Sequence, residues 1–136
     1  MSEIIPKHFS DLSHYLGEHE IPGIKFRYAG KDLGISTWGM NVIELGPHCT
    51  SYPEHDHTSD GEEEVYVVLS GSAVLQSGSS RWPLEPGMLV RVGPERKRKI
   101  VTGSRGVVIL ALGGLPDKPE GAATKKATVK KAAVKT

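Results

Sequence analysis

The chain has 136 residues, 38% of them hydrophobic and 24% charged, with a formal net charge of +1. This is the composition of one globular domain with a modest core, and no apolar run reaches the ~18–20 residues that a membrane-crossing helix needs. Cys49 is the only cysteine, which excludes an internal disulfide and a multi-cysteine zinc site, and the opening MSEIIPKHFSDL has no secretory pattern, so a cytoplasmic location is expected.

Residues 1–23 read as an arm. Ser10 can cap a short helix whose apolar face would hold Leu12, Tyr15 and Leu16, and Ile21-Pro22-Gly23 ends it. Residues 24–114 carry the punctuation of an all-β domain. Short β-prone runs are expected at Ile24–Tyr28, Ile35–Leu45, Glu64–Leu69, Ala73–Gln76, Met88–Val92, Arg98–Val101 and Val107–Leu112. Gly-, Pro- and Ser-containing turns separate them, and this spacing predicts a sandwich, barrel or jelly roll. Trp38 and Trp82 are expected in the core or at an interface. Residues 115–136 hold six lysines against Asp117 and Glu120 and no aromatic residue, which predicts a disordered basic tail. Such a tail can bind nucleic acid weakly through phosphates, although a solubilising role is the simpler expectation.

Between the second and third runs lies His55-Asp56-His57. Alternation in an extended segment sends both imidazoles to one face, where a pair of neutral rings suits Zn, Fe, Ni, Cu or Mn. Glu62, Glu63 and Glu64 follow and lead directly into Val65–Leu69. Three adjacent carboxylates entering an apolar strand are costly unless positive charge awaits one of them. The histidines of the arm, His8, His14 and His19, have no spacing that makes a face, and no function is assigned to them.

The stretch PEHDHTSDGEEEVYVVLSGSAVL resembles the first motif of the cupins, small jelly-roll β-barrels in which an HxH pair and a Glu bind one metal inside the barrel. LEPGMLVRVGPERKRKI is similar to a degenerate second motif. The likeness covers roughly residues 40–114 and implies an all-β, single-domain jelly-roll β-barrel with His55, His57 and Glu64 as ligands of one divalent metal ion. Glu64 is preferred because Gly71 follows it at the family's spacing; Glu62, of the same parity, is the reserve. No histidine follows His57, and the place of the fourth ligand falls at Arg98.

Arginine keeps its proton and offers only donors, so Arg98 is not expected to ligate. Alternation would send Arg96 and Arg98 one way and Lys97 and Lys99 the other, and the resemblance implies that Arg98 points into the barrel. Two readings follow. In the first, a metal (Fe, Mn, Ni, Zn or Cu) sits on His55, His57 and Glu64, and Arg98 grips an anionic small molecule, with Tyr52 at the cavity mouth. The protein would then be a metal-dependent enzyme resembling cupin dioxygenases, isomerases or cyclases. In the second, no metal binds, Arg98 neutralises Glu64, and the domain is a non-catalytic binding or structural module. The resemblance also implies a homodimer.

Overall fold

The computed structural model describes residues 3–116. The tail expected from residue 115 lies outside the described residues except for Leu115 and Pro116.

Eight strands make two antiparallel sheets. β1 (Ile24–Arg27), β2 (Gly39–Leu45), β3 (Glu63–Gly71), β6 (Leu89–Val92) and β8 (Val107–Gly114) form the larger, ordered β1-β2-β8-β3-β6. β4 (Ala73–Ser77), β5 (Ser80–Leu84) and β7 (Lys99–Val101) form the smaller, ordered β5-β4-β7. One core takes side chains from both: Tyr66, Val68 and Ile109 from the larger sheet, Leu75, Leu84 and Ile100 from the smaller. Each such fully buried aliphatic or aromatic side chain stabilises the fold by roughly 1.5–3 kcal/mol.

The register of the larger sheet arranges its inward residues in rows. Ile43, Ile109 and Val68 make one row; Asn41, Ala111 and Tyr66 make the next; Gly39, Gly113 and Glu64 make the third. Polarity therefore rises along the sheet from the first of these rows to the third. Period-two alternation in β8, buried at 107, 109, 111 and 113, produces this order directly.

Several expectations are corrected. The arm does not form a helix carrying Leu12, Tyr15 and Leu16; only a 3-10 turn, Phe9–Asp11, is present, and it is His8 rather than Ser10 that accepts a capping bond, from the Ser10 amide. The edge of β1 offers unpaired backbone groups, and the arm takes them. Tyr15 N–H donates to Phe26 O at 2.8 Å, Tyr28 N–H donates to Ser13 O at 2.9 Å, and His14 bridges to Arg27. Leu12 turns inward with Ala29 and Val42, while Leu16 is exposed.

The run expected from Ile35 begins only at Gly39, because Ala29–Leu33 folds as one helical turn closed by Gly34 at a φ of 77°. β5 was missed because Pro83 reads against a strand; it is tolerated here on a sheet edge. Trp38 and Trp82 are both exposed rather than in the core. Arg96 and Arg98 do not share a face: the turn that brings Arg96 N–H onto Gly93 O interrupts the alternation, leaving Arg96 outside and Arg98 buried.

The arm is secured through two side chains. Arg27, buried and paired with Glu44, donates to Leu12 O at 2.7 Å and Ser10 O at 3.2 Å. Asp32 accepts from Ser13 N–H at 2.6 Å and Ser13 Oγ at 2.8 Å, and these bonds hold its carboxyl below the usual aspartate range. A carboxyl with a depressed pKa in the folded state contributes stability above its unfolded pKa and loses it as pH falls through the folded one. The arm is therefore expected to loosen below about pH 4, seen as faster exchange of the Ser13 and Tyr15 amides, with Asp32→Asn showing that exchange already at neutral pH.

Gly71 ends β3 at a φ of 79°, and a Cβ there would stand 2.0 Å from Gly106 O. Gly71→Ala is expected to cost on the order of 2–4 kcal/mol in a urea melt, since both the left-handed backbone and the chain crossing must yield.

Candidate metal centre

Glu64 enters the barrel at the start of β3, in the row where β8 and β2 contribute Gly113 and Gly39. No side chain from those strands competes for the space beside its carboxylate. The histidines arrive from the segment between β2 and β3. His55 forms a two-way backbone bridge with Arg98, at 3.0 and 2.9 Å, just ahead of β7, and His57 N–H donates to Pro94 O at 2.7 Å. Only His55 is in β-type pairing; His57 begins a turn. Both rings still face Glu64, with centroids 5.2 Å apart.

Each imidazole is oriented by a hydrogen bond from its outer nitrogen. His55 Nδ1 lies 3.0 Å from Pro53 O, a group that can only accept, and His57 Nδ1 lies 3.2 Å from Asp60 Oδ1. Nδ1 therefore carries the proton in the neutral rings, and both Nε2 lone pairs point inward. They stand 3.7 Å (His55) and 3.5 Å (His57) from Glu64 Oε1. His57 Nε2 is buried and makes no hydrogen bond.

Two lone pairs and a carboxylate oxygen facing one another require positive charge nearby. Arg98 supplies some from behind: it is fully buried, its Nη2 donates to Glu64 Oε1 at 3.0 Å, and its Nη1 donates to Arg96 O at 2.7 Å. Tyr66 OH donates to the same oxygen at 2.9 Å. Burial raises the Glu64 carboxyl pKa, but the nearness of His55, the Arg98 guanidinium, His57 and the Tyr66 bond outweigh it and leave it lowered. His55 is raised, chiefly by the Glu64 carboxylate that faces its Nε2 once that nitrogen is protonated, and against its own burial.

The donor set suits a first-row divalent cation. Nitrogen and oxygen ligands about 2.0–2.2 Å from such an ion lie roughly 3–3.5 Å from one another, close to the separations here. The oxygen that faces both imidazoles is the same Oε1 that accepts from Tyr66 and Arg98. Asp60, which the sequence reading passed over, holds His57 in the way second ligands of metal-bound imidazoles are held; its place three residues after His57 was the available signal. The reserve carboxylate, Glu62, is buried and groups with His57 and Asp60, not with His55.

The remaining expected site residues divide. Tyr52 is buried and lines the cavity, its hydroxyl 3.3 Å from that of Tyr66, and burial pushes its pKa up to about 12. Arg98 points inward as expected, yet it borders Glu64 rather than the cavity, because its backbone bridge to His55 sets its side chain behind the carboxylate. Among the lining residues without an expected role are Asn41 from β2, and His19 and Glu20 from the arm.

Comparison with known proteins places the fold. The chain superposes on a sugar phosphate isomerase of a cupin superfamily from Silicibacter pomeroyi with a TM-score of 0.67 at 21% identity, covering 84% of this chain and 77% of that one. It matches the polyketide cyclase RemF from Streptomyces resistomycificus with a TM-score of 0.67 at 13% identity, covering 96% and 99%. A Cupin 2 conserved barrel domain protein from Salinispora arenicola matches at 0.65 and 18%, covering 100% and 99%. No family model and no curated protein matches the sequence. The domain is thus a cupin-type β-barrel. Among the described residues no helix is long and apolar enough to cross a membrane.

Removing one member of a buried ion pair strands the other. Arg98→Leu in metal-free protein is expected to cost about 3–5 kcal/mol in denaturant melts, and Glu64→Leu added to it is expected to recover most of that loss.

Proposed function

We propose that this protein binds one divalent metal ion through His55, His57 and Glu64 and uses it on a small molecule held in the barrel. The observation that carries this reading is the convergence of two oriented Nε2 lone pairs on Glu64, with His57 Nε2 buried and otherwise unused. A group left unpaired in this way has a cost that coordination would remove.

A divalent cation at this face would supply Lewis acidity to a bound oxygen or an open position for dioxygen or water. The chain's own residues do the rest. Pro53 O and Asp60 keep both imidazoles in the ligating tautomer. Arg98 and Tyr66 hold the Glu64 carboxylate in place and ionised. The rows below Glu64, with Tyr66, Ala111, Ile43 and Ile109, keep the far side of the site dry. The names of the structural neighbours, an isomerase and a cyclase among them, are compatible with such chemistry without selecting one reaction.

A second reading rests on the 3.0 Å contact between Arg98 Nη2 and Glu64 Oε1. There the guanidinium alone neutralises the carboxylate, repels a cation and leaves a binding module without metal.

Metal analysis separates the two. Protein purified after supplementation with Fe, Mn, Ni, Zn or Cu is expected to hold about one ion per chain, and the His55→Ala/His57→Ala double variant to hold none. Metal at 100 times its Kd should stabilise the wild type by about 2.7 kcal/mol and leave the double variant unmoved. Protein that stays empty under these conditions overturns the metal reading in favour of the ion-pair module.

A further inference from the structure

The cavity beside the metal-binding face has a volume of about 490 Å³, the size of a small-molecule site. One pole is His55, His57 and Glu64. Most of the wall is ring and aliphatic surface from Ile24, Phe26, Tyr28, Ile43 and Tyr52. Among the described residues no lysine or arginine lines it, whereas Glu20 and Glu64 do. Without a metal, an anion entering this space would shed water and meet no guanidinium or ammonium group of those residues, since Arg98 is turned toward Glu64 and Arg96 O. Among the described residues the bidentate grip on an anionic substrate that the sequence suggested has no group in the cavity wall to make it.

One polar side chain in the wall is unexplained by the metal face. Asn41 lies in β2, in register with Ala111, and is 5% exposed. Its Nδ2 is buried without a hydrogen-bond partner. Its inward parity is that of Ile43 and Leu45, positions where this strand otherwise places aliphatic residues. Ala111, with a single methyl group, leaves open the volume beside it. A leucine at position 41 would pack there without stranding a donor, so the amide costs stability that only a ligand returns.

We propose that the site takes an uncharged, ring-bearing molecule with a carbonyl-type oxygen, and that Asn41 Nδ2 donates to that oxygen. Sugar phosphates and simple carboxylates are thereby disfavoured as ligands of the metal-free protein. The inference deepens the reading of the same site and rests on it for the cavity being the ligand's seat, but the Asn41 contact needs no metal.

The test uses the full chain stripped of metal with EDTA, and repeats with metal restored. The probes are 1-tetralone, its hydrocarbon tetralin, 1-naphthoate and glucose 6-phosphate, with Kd read by titration NMR. The ketone is expected to bind more tightly than tetralin by about three- to ten-fold, the worth of one net hydrogen bond, and more tightly than either anion. Asn41→Leu should erase the difference between ketone and hydrocarbon while raising Tm. Ala111→Phe should abolish binding of both by filling the space. The inference is overturned by tighter binding of an anion to the stripped protein, by failure of both bicycles to bind, or by an Asn41→Leu variant that keeps the ketone preference. A fall in Tm with equal loss of ketone and tetralin would also sink it, since that marks Asn41 as structural. An empty protein in metal analysis would remove the metal reading and leave these measurements intact.

Discussion

The interior of this barrel is organised around one carboxylate oxygen. Glu64 Oε1 accepts from a fully buried guanidinium and a buried phenol, and two imidazole nitrogens face it from the cavity side. A carboxylate in such a place is expensive without compensation, and an arginine there is equally so. Each makes the other tolerable. The backbone bridge between His55 and Arg98 places the arginine and one histidine by a single pairing of chain segments. Charge compensation behind Glu64 and an imidazole in front of it are thus set by one pairing of backbone segments.

Around that node the fold supplies a gradient. Inward rows of the larger sheet run from Ile43, Ile109 and Val68, through Asn41, Ala111 and Tyr66, to Gly39, Gly113 and Glu64. The first row is a core, the second mixes core with hydrogen-bonding groups, and the third leaves room for side chains from the segment between β2 and β3. Strand alternation creates this without any special device. Tyr66 joins the two regimes, packing against Val68 and Ile109 by its ring and meeting Glu64 and Tyr52 by its hydroxyl.

Much of this was legible in the sequence. His55, His57, Glu64 and the spacing to Gly71 announced both the barrel and its polar face, because a metal-type cluster must recur at fixed intervals along strands. Other features resisted for physical reasons. Pro83 concealed an edge strand, since proline is excluded from sheet centres but not from rims. Leu12, Tyr15 and Leu16 suggested a helix that the free edge of β1 outcompeted. Arg98 is inward and paired with Glu64, as one of the two sequence readings has it, while its distance from the cavity depends on a turn at residues 93–96 that alternation ignores. Asn41 was overlooked among aliphatic neighbours, although a lone amide at an inward position was itself the signal.

The arm has a consequence beyond its own attachment. Its residues 19–21 form part of the cavity wall, yet it contributes nothing to the cluster of His55, His57 and Glu64 and is held by the edge of β1, by Asp32 and by Leu12 packed on Ala29 and Val42. Changes at His19 or Glu20 would therefore reshape one side of the cavity without touching its polar pole, whereas the wall given by Ile24, Phe26, Asn41 and Ile43 moves only with the strands that carry it.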